Sequence, residues 1–188
     1  VLALYSQSRS SNAGTRSQIR RSLDTFARAS YVPTRLDTDL RPSILNGDYA
    51  LVIITGNAGD GKTAFIQQLE ETVQTSLDTT DFVPSPSGNG ANFVYKGHRF
   101  LTNYDGSQDE GQINNDEVLA HFFRPFGGPG PIKVKGETNL IAINEGRLVD
   151  FLQSHQKDFP YLYQQAHDFL ERQRPLGIGV LIVNLNLR

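Results

Sequence analysis

Apolar residues in this chain fall into two patterns that alternate: short continuous runs, and stripes at helical spacing. The first run is Ala50-Leu51-Val52-Ile53-Ile54-Thr55. It is rich in β-branched residues and uninterrupted by charge, which predicts a strand buried on both faces. Phe65, Ile66, Leu69 and Val73 then predict a helix from about Lys62 to Ser76. Residues 78–91 are polar and rich in Pro, Ser and Gly, and read as a loop. A second strand region covers 92–103, with Gly97 as the point where it would fold into a hairpin. Asn114 and Glu117 form an N-x-x-E pattern resembling a capping box, ahead of a helix that buries Val118, Leu119, Phe122 and Phe123. Residues 124–136 read as an irregular loop. Leu140-Ile141-Ala142-Ile143 is the third buried run, followed by a helix with Leu148, Phe151 and Leu152 inward. Pro160 fits the first turn of a further helix burying Leu162, Ala166, Phe169 and Leu170, and Pro175 and Gly177 end it. Val180-Leu181-Ile182-Val183 is the fourth buried run.

Ahead of this core, residues 1–15 are a polar lead-in, and Ile19, Leu23 and Phe26 predict a helix over 16–30 that Pro33 stops. The chain thus divides into an N-terminal polar segment and helix, 1–40, and an α/β core, 41–188. Buried strands alternating with amphipathic helices imply a three-layer α/β fold, a mostly parallel sheet flanked by helices.

Composition narrows the chemistry. With 188 residues, 38% hydrophobic and 20% charged, the chain has enough apolar material for a globular core. It has no cysteine, so disulfides, thiolate metal sites and a thiol nucleophile are excluded. Its four histidines, His98, His121, His155 and His167, show no metal-ligand spacing. No apolar run approaches the roughly 18–20 residues that span a membrane, and Val1-Leu2-Ala3-Leu4 is too short for a signal peptide. These features give a cytoplasmic expectation. The net charge of −2 argues against a bulk polyanion binder. Arg9, Arg16, Arg20 and Arg21 stand in an acid-free stretch, but no nucleic-acid-reading motif accompanies them, so they read as a solvated face or an interdomain contact.

One segment carries explicit chemistry. Gly56-Asn57-Ala58-Gly59-Asp60-Gly61-Lys62-Thr63 matches G-x-x-x-x-G-K-[ST] at every fixed position, between a predicted buried strand and a predicted amphipathic helix. Its glycines let the backbone curl so that successive N–H groups converge on phosphate oxygens, reinforced by the helix N-terminus. Lys62 reaches the β- and γ-phosphates in such a loop, and the Thr63 hydroxyl ligates Mg²⁺. Asp60 is an acid inside an anion site, tolerable where its side chain points away.

With this loop, the order of the strands resembles that of P-loop ATPases of the AAA+ and related signal-transducing (STAND-like) division, over roughly residues 40–188. The Asn-Glu-Gly and Asn-Leu-Asn-Leu-Arg segments at 144–146 and 184–188 look like those of bacterial ATPases from phage-defence and modification-dependent restriction clusters. The resemblance implies ATP and Mg²⁺ as ligands, and hydrolysis coupled to conformational change or assembly, in an oligomer or beside further modules of a larger polypeptide. It places Glu145 as the residue that polarises the attacking water, and Asn144 where an aspartate usually holds a Mg²⁺-bound water. Asn184, with Asn186 second, takes the part of the polar strand tip that contacts the γ-phosphate or the water. In that division the Asn184 strand lies between the loop strand and the acidic strand.

Asn144-Glu145-Gly146 also reads as a plain helix cap. Asp105, Asp109, Glu110, Asp116 and Glu117 read as a solvated acidic loop, Asp105 being the member nearest the expected site. Arg147 and Arg188 read as surface arginines rather than fingers acting across an oligomer. Two other functions stay open: a small-molecule or polynucleotide kinase, for which no arginine-rich lid is found, and a nucleotide-sensing scaffold that barely hydrolyses, which Asn144 keeps open because it brings no negative charge. A GTPase is disfavoured by the lack of an Asn-Lys-x-Asp motif. The chain opens on Val1, has no methionine, and ends at the fourth strand. Set against the resemblance, a fifth strand and a helical lid are expected to be missing, as in a piece of a larger protein.

Overall fold

In a computed structural model, which describes residues 36–186, the first apolar run forms β1 (Leu51–Thr55) and all five of its residues are buried. The helix expected over 16–30, the basic positions among residues 1–22, and Arg188 lie outside the described residues. Leu51 and Ile53 pack into one hydrophobic layer, while Val52 and Ile54 pack into the other. The strand is thus covered on both faces, as an unbroken apolar run requires.

Before β1, a short π-helical turn (Leu36–Leu40) runs into α1 (Arg41–Leu45). After β1 comes α2 (Lys62–Gln74), close to the expected span. Its Phe65, Ile66, Leu69 and Val73 pack on Val52, Ile54, Leu140 and Ala142, with Phe93 and Phe100 in the same layer. The chain then makes β2 (Thr79–Pro84), β3 (Ala91–Tyr95) and β4 (His98–Asn103), so the hairpin at Gly97 is present. Next are α3 (Asn115–Phe123), β5 (Glu137–Ile143), α4 (Glu145–Ser154), α5 (Pro160–Arg172) and β6 (Val180–Asn184). The Asn114 side chain accepts from the Glu117 amide, which caps α3 as its sequence suggests. Helices α3, α4 and α5 cover the opposite face of the sheet with Leu119, Phe123, Leu148, Phe151 and Leu162. Phe169 and Leu170 are half-buried at the margin of that layer. Among the described residues no helix is long and apolar enough to cross a membrane.

The sheet is mixed and six-stranded, in the order β2-β3-β4-β5-β1-β6. Strands β4, β5, β1 and β6 are mutually parallel, while β2, β3 and β4 form an antiparallel meander. Two expectations are corrected here. First, residues 79–84 form a strand where a loop was expected. This edge strand is largely exposed and lacks apolar alternation, and its pairing slips between Thr80 and Val83, where Asp81 has a φ of 55°. Phe82 attaches it by stacking on Phe93 at 5.4 Å.

Second, the strand ending at Asn184 does not lie between β1 and the strand ending at Ile143. β1 pairs directly with both, β5 on one side and β6 on the other. Burial accounts for the order. Six of the seven β5 residues are buried, which suits a central position, whereas three of the five in β6 are only half-buried, which suits the edge.

Candidate functional site

Four parallel strands end on the same side of the sheet, and every residue expected to carry chemistry follows one of those ends. Residues 56–63 follow β1, Asn144 and Glu145 follow β5, Asn184 closes β6, and Asp105 lies two residues beyond β4. Clefts outside the carboxyl ends of such strands are where open α/β sheets bind ligands.

The loop after β1 is built by its glycines. Gly56, Gly59 and Gly61 have φ values of 151°, 90° and 84°, which L side chains rarely adopt. A Cβ on Gly56 would also press on the Asp60 carboxylate and on Leu185. Gly61 is the N-cap of α2, a 13-residue helix, and brings no side chain to cap its first-turn amides. Lys62 folds back over the loop. Its Nζ donates to the carbonyls of Gly56 at 2.9 Å and Asn57 at 2.5 Å. Burial draws its pKa below the ordinary lysine value, against the opposing pull of the Asp60 and Asp105 carboxylates.

Asp60 behaves differently from the outward-pointing side chain that an anion site would tolerate best. Its carboxylate turns back and accepts from the Asn57 amide at 2.5 Å, so it braces the loop from within. Ala58 and Gly59 form the exposed tip.

Thr63 fixes the loop against β4. Its hydroxyl donates to the Tyr104 carbonyl at 2.8 Å, one residue before Asp105. Asp105 is half-buried, and its carboxylate accepts from the Ser107 amide and the Gln108 side chain. Its own amide donates to Asn89 and Asn103 side chains. Behind this tip lies a polar cluster that the sequence did not suggest. Glu70, on α2 and 3% exposed, accepts from the hydroxyls of Thr102 and Tyr104, each at 2.5 Å. Helix α2 is therefore clamped to the end of β4 at Thr63 and again at Glu70.

Burial raises the Glu70 pKa above the usual carboxylate value, and the two hydroxyls only partly counter it. The folded chain then holds this proton more tightly than the unfolded chain does. The group's contribution to stability is full below the ordinary glutamate value of 4.5, and it falls as pH rises from there to the raised folded value. Glu70→Gln is expected to flatten that decline, read as melting temperature across that pH window against the parent chain.

The other expected residues divide. Asn144 serves as the N-cap of α4, its carbonyl oxygen accepting from the Gly146 amide at 2.9 Å. Glu145, the first residue of α4, is half-buried, and its Oε2 accepts from the side-chain amides of Asn184 at 2.9 Å and Asn186 at 3.2 Å. Asn186 also reaches the loop, as its Oδ1 accepts from the Asn57 side chain at 2.7 Å. The structure thus brings Glu145, Asn184, Asn186 and the loop together in one network. Arg147 is paired with Asp116 and donates to Asn115 at 2.5 Å. The other members of the acidic stretch make local contacts, Asp109 to the Asn115 amide and Glu117 to Asn114. Among the described residues no three His, Cys, Asp or Glu side chains gather into a metal-binding group.

Comparison with protein-family models, with curated proteins and with solved structures returned no match, so the chemistry of this loop has to be judged from its own residues.

Proposed function

We propose that residues 56–63 bind the phosphates of ATP and that the chain is an ATP-hydrolysing module. One observation carries this reading: at the carboxyl ends of the parallel strands, the glycine loop, the Thr63 hydroxyl and the tip of β4 before Asp105 meet, with Lys62 within electrostatic reach of Asp105. In P-loop enzymes the lysine meets the terminal phosphates, while the threonine and an acidic strand tip hold the metal. The observed strand order also suits the AAA+-like division, with the roles reassigned. β5 becomes the intervening strand, with Asn144 at its tip, and β4 becomes the acidic strand, with Asp105 as its acid. β6 then takes the position beyond the loop strand that belongs to the fifth strand of that division, the strand expected to be missing.

A hydroxyl and a carboxylate are hard oxygen donors, as Mg²⁺ requires. Thr63 and Asp105 are therefore the residues that would hold the ion. Bound Mg²⁺ would offset the charge that develops on the phosphate oxygens. Lys62 leaves its carbonyl partners to meet phosphate, and Glu145, held by two asparagine amides, is a carboxylate beside the loop able to orient a water.

The test is ATP binding and Mg²⁺-dependent turnover by the parent chain and by Asp105→Asn. The parent is expected to bind ATP. Turnover by Asp105→Asn is expected to fall on the order of 100-fold with binding largely kept, as when one charge-stabilising group is removed. Absence of ATP binding by the parent sinks the reading. Binding without release of phosphate would indicate a nucleotide sensor, and transfer to an added acceptor would indicate a kinase.

A further inference from the structure

We infer that Asn186 is a positioning residue that ties the glycine loop to the Glu145 carboxylate; this rests on the reading of that loop as a triphosphate site. Asn186 is bonded at both ends of its amide. Its Oδ1 accepts from the Asn57 side chain at 2.7 Å and from the Asn57 backbone amide at 3.2 Å. Its Nδ2 donates to Glu145 Oε2 at 3.2 Å. Its own backbone amide donates to Asn184 Oδ1 at 2.9 Å, which turns the Asn184 amide so that its Nδ2 also meets Glu145.

The chemistry of the partners fixes the direction of these bonds. A carboxylate only accepts and a backbone N–H only donates, so the Asn186 side chain has a single orientation that satisfies both neighbours. Glu145 therefore takes its rotamer from β6 and the residues just after it. The position of Asn186 is set in turn by Asn57, the second residue of the loop. Phosphate contacts that shift residue 57 are passed to the carboxylate through one side chain.

This chain of contacts predicts how mutations combine. Asn186→Ala removes one of the two amides that aim Glu145 and also cuts its link to the loop. Turnover is expected to fall about tenfold, with ATP affinity changed less than about threefold, because misplacing a reacting group costs rate more than binding. Asn57→Ala keeps the Glu145 contact but loses the side-chain link, so its effect is expected to have the same sign and to be non-additive with Asn186→Ala.

The deciding measurement is Asn186→Ala in a Glu145→Gln background. If Asn186 acts through Glu145, it lowers the residual turnover of Glu145→Gln by less than about twofold. A merely structural role would give the full tenfold loss in both backgrounds, and that result overturns the inference. Equal turnover of Asn186→Ala and the parent overturns it as well, as does a parent that binds ATP without turnover, since Glu145 then has no reaction to serve. A parent that fails to bind ATP removes the underlying reading instead, which calorimetry on the unmodified chain distinguishes.

Discussion

Lys62→Ala is expected to weaken ATP binding by about 10- to 100-fold, the equivalent of the ~1.5–3 kcal/mol of a hydrogen bond to a charged group. The lysine is well placed for so large an effect. It is half-buried and rests on the Gly56 and Asn57 carbonyls, so it can transfer to phosphate without crossing the site. Its lowered pKa adds a second signature. As pH rises, the ammonium loses its proton before an ordinary lysine with a value of 10.5 would, so ATP affinity should decline early on the alkaline side. In Lys62→Ala that alkaline decline should vanish. Titration calorimetry across pH, on parent and variant, measures both effects. Unchanged affinity in the variant would separate Lys62 from phosphate binding altogether.

Phe100→Ala is expected to give the largest loss of stability, about 3–5 kcal/mol. Phe100 is fully buried and stacks on Phe93 with ring centroids 5.1 Å apart, in the layer beneath α2. The two rings face each other across the β3–β4 pair, so truncating one leaves the other beside a cavity. Typical domains have only about 5–15 kcal/mol in total, so this variant should stand near the edge of folding. The check is urea denaturation, where the midpoint should fall with little change in slope. Phe100→Leu, which keeps most of the volume, should cost far less. A loss below about 1 kcal/mol for Phe100→Ala would mean that the layer repacks freely.

The buried runs were legible in the sequence because burial on both faces leaves an unbroken apolar signature. That holds for β1 and for the Leu140-to-Ile143 part of β5, and the helical stripe of α2 was equally clear. β2 left no such trace, since its Thr-Thr-Asp-Phe-Val-Pro segment is an irregular exposed edge. The order of the strands was not legible either. Parallel neighbours join residues far apart in sequence, and an apolar run does not name its partner. On the proposed reading, that one gap is what displaced the acidic strand from β4 to β5. Asp105 was visible as a polar residue at a strand tip, but its standing depends on β4 lying next to β5, with β5 next to β1. The capping function of Asn144 could be read from Asn-Glu-Gly alone, whereas the Glu70–Tyr104 contact spans 34 residues and has no local pattern.

The separation of the site's parts along the chain also bears on how the chain folds. The loop at Asn57 and its partner Asn186 are 129 residues apart, and among the described residues the strands that pair with β1 are β5 and β6, which come much later in the sequence. Contacts that close such long loops form slowly, because the entropy of closure is lost before the pairing rewards it. The antiparallel β2–β4 meander is local and can form early. The completed loop network should therefore be among the last features to appear during refolding. A chain emerging from synthesis would carry Asn57 for 129 residues before its partner Asn186 exists.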